Sequence, residues 1–163
     1  MSKSKIISAE FEVVDNLQDL SEAEQDLCRK AKDAAMKAYA PYSKFKVGAA
    51  VCLSDGTVVL ASNKENASFP AGICAERNAL NQVSDQYPDA KVVSIALYAE
   101  TSEFSIVDPL APCGICRQVL CEFEKNQETP IRIIMLSSSG GAMIAANAAS
   151  LLPFHFYPEK LKK

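Results

Sequence analysis

Cys113-Gly114-Ile115-Cys116 places two thiols one helical turn apart at a predicted helix start. Unpaired backbone amides and the positive end of the helix dipole favour thiolate over thiol there. Such a pair has three uses: half of a metal site, a dithiol redox pair between a strand and a helix, or plain core packing. Cys74 adds a third sulfur, because it too follows a loop and opens a predicted helix, so two helix starts could face each other across one ion. Glu76 follows on the same helical turn, close enough to reach a water held by that ion without being a ligand. A carboxylate so placed can take a proton from water and pass it on, whereas an isolated Glu at a helix start would be merely a favourable charge.

Three cysteines leave the fourth tetrahedral position to decide the class of site. A structural zinc site is closed by a fourth protein ligand; a catalytic one holds water there. The single histidine is His155. Were it the fourth ligand, the protein would be a Cys3His binding module and not an enzyme, and a His155→Ala variant that kept its zinc would exclude that reading. The remaining cysteines, Cys28, Cys52 and Cys121, fall in apolar patterns and are expected to pack in the core.

The elements that position these groups follow from punctuation and periodicity. Residues 1–20 alternate weakly, around Ile6-Ile7 and Phe11 to Val14, and form an N-terminal extension that either adds an edge strand or stays mobile. Ser21-Glu22-Ala23-Glu24 is a capping box, predicting a helix to about Tyr39, before Pro41. Val47 to Leu53 and Thr57 to Ala61 read as a hairpin turned by Ser54-Asp55-Gly56. A helix from about Cys74 through Val83, a strand over Lys91 to Tyr98, a helix from Cys113 to Phe123 and a strand over Ile131 to Leu136 come next. A short strand near Ala142 to Ala145 and a last short helix, capped by Asn147 and running through Leu152, complete the order. The class is α/β, a mixed sheet with helices on its faces, with residues 21–163 as one domain.

Composition narrows the partners. The 163 residues are 48% hydrophobic and 23% charged, an ordinary globular balance, and a chain of this length buries about 70% of its unfolded surface without needing staples. Lys and Arg number 17 against 20 Asp and Glu, a net charge of −3 with no basic run, which disfavours nucleic acid as a partner. The start has no apolar run of signal-peptide length, so a cytoplasmic location is expected, where stable disulfides are rare. Residues 133–157 carry no charge, yet the Ser137 to Gly141 turn and Pro153 interrupt them, so no membrane span is expected.

Cys74-Ala75-Glu76 followed by Pro112-Cys113-Gly114-Ile115-Cys116 is similar to the zinc-deaminase pattern, with Cys in place of its first His. The chain closely resembles the small homotetrameric zinc-dependent cytidine deaminases, within the cytidine/deoxycytidylate deaminase family, from about Ser21 to Leu161. The matching segments are Tyr39 to Ala50 (YAPYSKFKVGAA), Asn63 to Arg77 (NKENASFPAGICAER), Pro112 to Gln118 (PCGICRQ) and Leu151-Leu152-Pro153.

The resemblance implies a three-layer α/β/α fold on a central mixed five-stranded sheet. It also implies zinc held by Cys74, Cys113 and Cys116, with Glu76 as proton shuttle while water adds to C4 of cytosine and ammonia leaves. Cytidine and deoxycytidine would become uridine and deoxyuridine, a pyrimidine-salvage reaction. Arg77 would hydrogen-bond the sulfurs and support the thiolates electrostatically. Substrate contacts would come from Phe45 on the base, Asn63 and Glu65 on the sugar hydroxyls, Ala75, and Phe156 reaching into a neighbouring subunit's site, so that a homotetramer shares its active sites. His155 is then a neighbour of that element and not a ligand. Glu65 beside the sugar would repel a phosphate and select the free nucleoside. Three departures stand out: Phe69 where relatives often carry Tyr, Ala111 for a common Ser, and Lys64 for an apolar residue between the sugar-binding positions. Blasticidin, guanine and tRNA-adenosine deaminases are alternatives with related chemistry. The Asn63-x-Glu65 pair, Cys74 in place of His and the acidic balance oppose them.

Overall fold

Helix α1 (Glu22–Ala35) begins where its capping box demands: the Ser21 hydroxyl accepts from the Glu24 amide, and the Glu24 carboxylate accepts from the Ser21 amide at 3.1 Å. In the computed structural model, which describes residues 3–106 and 108–157, this helix ends a turn before the expected Tyr39. The reason is a competing partner for the backbone. The Tyr39 amide donates to the Asn63 carbonyl and its own carbonyl accepts from Glu65, so Tyr39 bridges to the segment that follows the hairpin.

The strands are β1 (Phe11–Val14), β2 (Lys46–Leu53), β3 (Val58–Ser62), β4 (Val92–Glu100), β5 (Arg132–Leu136) and β6 (Ala142–Ala145). They form one sheet in the order β1-β6-β5-β4-β2-β3. The sheet therefore has six strands, not the five expected. The sixth is β1, which comes from the segment read as an N-terminal extension and pairs antiparallel with β6, Phe11 opposite Ala145. Arg132 locks it in place, donating at once to Glu12 on β1 and to Glu24 on α1.

Helices α2 (Ala75–Gln86) and α3 (Gly114–Gln127) follow β3 and β4. Because β3 and β4 are each antiparallel to β2, they run parallel to one another, and β4 is parallel to β5. Thus β3-α2-β4 and β4-α3-β5 are successive crossovers stepping the same way across the sheet. Right-handed connection then puts both helices on the same face, each starting at the carboxyl ends of the strands. Helix α3 runs a turn beyond the expected Phe123, because Glu124 accepts from the Ile131 and Ala148 amides and Gln127 exchanges hydrogen bonds with the Val92 backbone. The final helix is only a 3-10 turn over Ala148–Ser150, capped by Asn147 as expected.

Strand alternation sorts the core into two layers. Val47, Ala49, Val51 and Leu53 of β2 pack with Leu80, Val83 and Leu120 from α2 and α3. Ala50 and Ala96 pack with Leu27, Cys28 and Ala31 of α1 on the other face. Cys28 and Cys121 are buried in these layers, while Cys52 is half-buried. No helix among the described residues is long and apolar enough to cross a membrane.

Small residues let α1 lie close against the sheet. A Cβ on Gly48 would overlap the Ala31 carbonyl oxygen and the Ala35 amide nitrogen, both of them backbone atoms that cannot swing aside. Gly48→Ala is therefore expected to lower stability by about 3 kcal/mol. Gly114→Ala, at a position with open space around the added atom, should stay within about 0.5 kcal/mol of the parent. Denaturant unfolding of the two variants checks both; equal effects would contradict the close approach.

Candidate active site

Cys74 and Cys113 are the N-cap residues of α2 and α3, and neither cap is completed by a side-chain hydrogen bond. The two helix starts meet. The Cys74 and Cys113 sulfurs lie 3.9 Å apart and those of Cys113 and Cys116 3.5 Å apart, and all three fall within 4.8 Å of one another. Tetrahedral zinc with Zn–S bonds of about 2.3 Å needs sulfurs about 3.8 Å apart, so the donor set fits the ion in both chemistry and spacing.

Proton sharing among the sulfurs is uneven. Hydrogen bonding from Cys116, then from Cys113, and the charge of Arg77 bring Cys74 down to about 6. The reciprocal bond to the Cys74 thiolate, with burial, pushes Cys116 far up. The cluster thus releases its first proton readily and holds the next.

Glu76 is buried beside this group, 6% exposed. Burial, reinforced by the Cys74 thiolate, raises its carboxyl above the usual range. It lines a cavity of about 450 Å³ together with Phe45, Asn63, Glu65, Cys74 and Ala75. With Cys113, which lines it too, seven of the expected site residues share one cavity.

Asn63 and Glu65 are already engaged with the protein's own backbone. Asn63 accepts from the Val47 amide at 2.8 Å and donates to the Phe45 carbonyl at 2.9 Å. The Glu65 carboxylate accepts from the Tyr42 and Ser43 amides and the Ser43 hydroxyl; that hydroxyl is the chief reason its carboxyl lies below the usual range. Lys64, between them, turns outward to the Lys37 carbonyl. Arg77 donates to the Gly72 carbonyl at 3.4 Å, bracing the loop before Cys74, and not to a sulfur as expected; its influence on Cys74 is through charge.

Phe156 stands outside that cavity. Its ring is 60% exposed, while Gln118 grips its backbone from both sides, donating to its carbonyl and accepting from its amide. His155 is hydrogen-bonded to the Leu152 carbonyl and packs edge-on against Tyr157. Among the described residues the metal-ligating group contains no histidine, so the Cys3His closure does not form. One neighbour had no signal in the sequence: the ring of Phe104, from the loop before α3, stacks on Phe45.

The cysteine geometry makes a prediction that needs no metal. Thiolate absorbance of the metal-free protein should titrate with a first midpoint near pH 6, well below the ~8.5 of a free thiol. Arg77→Gln should move that midpoint upward. A first midpoint at the free-thiol value in the parent protein would contradict the shared-proton arrangement.

Comparison with known proteins places this geometry. Residues 21–129 match the family model of the cytidine and deoxycytidylate deaminase zinc-binding region. The chain is 38% identical over 138 residues to a cytidine deaminase of Sporosarcina psychrophila, covering 84% of this chain and 93% of that one. It is 44% identical over 100 residues to the cytidine deaminase of Halalkalibacterium halodurans, across 60% of this chain and 70% of the relative. The crystal structure of cytidine deaminase from Burkholderia pseudomallei superposes with a TM-score of 0.70 at 38% identity, covering 84% of this chain and all of the other. Both helix starts and all three sulfurs lie inside the matched span, and the chain belongs to the cytidine and deoxycytidylate deaminase family.

Proposed function

We propose that the protein hydrolyses cytidine and deoxycytidine to uridine and deoxyuridine with release of ammonia, a reaction of pyrimidine salvage. The observation that carries this reading is Glu76, buried in the cavity wall beside three sulfurs spaced for zinc. Cys74, Cys113 and Cys116 would hold the ion. Zinc held there would supply Lewis-acid activation of the water that adds to the base.

Glu76 supplies the proton traffic. As water adds to C4, the carboxylate takes a proton from it and delivers it to the ring nitrogen N3. The same carboxyl then carries the second proton to the departing amino group, so cytidine and water leave as uridine and ammonia. A carboxyl raised by burial suits both tasks, since the shift narrows the difference between taking a proton and giving it up.

The cavity wall recognises the rest of the nucleoside. Phe45 offers an aromatic face to the base, Ala75 borders the ring, and Asn63 and Glu65 meet the sugar hydroxyls. The Glu65 carboxylate, kept ionised by its three donors, repels a phosphate at that end and selects the nucleoside over the nucleotide. Arg77 offsets the negative charge of the thiolates.

Assembly belongs to the same reading. A backbone gripped by Gln118 while the Phe156 ring faces outward suits a side chain presented to a neighbouring subunit's cavity, as in a homotetramer with shared sites. Six free cysteines suit a reducing, cytoplasmic setting.

Ammonia release and the matching ultraviolet change, measured with cytidine, deoxycytidine, cytidine monophosphate and blasticidin S, test the assignment. Both nucleosides should turn over while the monophosphate is ignored. Glu76→Gln should retain zinc and lose about a thousandfold in kcat. Zinc-loaded protein that deaminates none of the four would refute the reading.

A further inference from the structure

Phe45 is fixed at its backbone but not, by those bonds, at its ring. Its amide donates to the Ser43 hydroxyl at 3.0 Å, and its carbonyl accepts from Asn63 at 2.9 Å. The preceding residue, Lys44, adopts a left-handed conformation (φ 56°), which sets the direction in which the chain enters β2. These contacts hold the Cα–Cβ bond and leave the side-chain torsions free. A ring that is to receive a flat base needs its plane fixed as well.

Phe45 packs at the edge of the apolar core, and the Phe104 ring adds a contact to its face. Its centroid lies 6.0 Å from that of Phe45 with the planes only 13° apart, an offset stack. Phe45 lines the cavity and Phe104 does not, so Phe104 backs the ring from outside the cavity wall. Phe104 is itself 57% exposed, so the ring is not there to fill the core. Its loop is anchored close by: the Thr101 hydroxyl accepts from the Glu103 amide, and the Ile106 carbonyl accepts from the Ser138 hydroxyl at 2.6 Å while Ile106 packs on the core.

We propose that Phe104 is a positioning residue that sets nucleoside affinity by stacking behind Phe45 and holding its plane for the base. The inference rests on the deaminase reading and adds a residue, four elements away in sequence, that acts through Phe45. An offset aromatic pair of this kind corresponds to a change of about fivefold in an equilibrium constant.

The test is a double-mutant cycle on the intact zinc-loaded enzyme, with cytidine turnover and uridine binding as readouts. Phe104→Ala should raise the KM for cytidine and the Kd for uridine about fivefold, with kcat within about twofold of the parent. Phe104→Tyr should restore both constants, and Phe104→Leu, which keeps apolar volume but removes the ring, should behave like Ala even if Ala disturbs the loop. In a Phe45→Ala background, removing Phe104 should add nothing. Unchanged constants, a loss confined to kcat, or full additivity with Phe45→Ala would overturn the role while leaving the deaminase reading intact. A parent enzyme that does not deaminate cytidine would overturn the deaminase reading and the role with it.

Discussion

The site exists because two helices begin at the same place. Parallel β3, β4 and β5 require crossovers that return over one face, and both α2 and α3 therefore start at the carboxyl ends of the strands. Each start is capped by a cysteine, so two sets of unpaired amides and two positive dipole ends point at one cluster of sulfurs. Three thiolates around a divalent ion carry a net −1, which would blunt the ion's effect on water. The helix starts and Arg77 supply positive potential against it, and the nearby Glu76 is kept protonatable by the burial that α2 provides. Topology here does electrostatic work.

Around that fixed floor the cavity rim is tied to the same strands. Asn63 and Glu65 leave β3 and fold back on the turn before β2, so the groups proposed to meet the sugar also hold residues 42–47 in place. Proposed binding and observed scaffolding fall on the same side chains. Losing either one would disturb the backbone that carries Phe45 as well as the proposed sugar contact, which makes the rim preorganised and intolerant of partial change.

What could be read from the residues alone was local. The Ser21 capping box, the Ser54-Asp55-Gly56 turn and the helix starts at Cys74 and Cys113 depend on groups a few positions apart, and each stands where expected. The convergence of three cysteines was legible through motif spacing. The misses are long-range. Helix α1 stops early because Tyr39 has partners at 63 and 65, and α3 runs on because Glu124 and Gln127 bind backbone beyond its end. The stack of Phe104 on Phe45 joins a loop to a strand start with no periodicity to announce it. The edge strand near Phe11 is one of the two readings its weak alternation allows, but its partner near Ala145 is not legible, for the same reason.

That pairing also orders events during synthesis. Of the six strands of the sheet, the one synthesised first is bonded to the one synthesised last, Phe11 to Ala145. Helix α1 can pack on the β2–β3 hairpin well before then, but β1 has no edge to join until the β5–β6 turn is complete. Until then β1 has no sheet partner for its backbone, the kind of unpaired edge that another nascent chain or a chaperone can pair with.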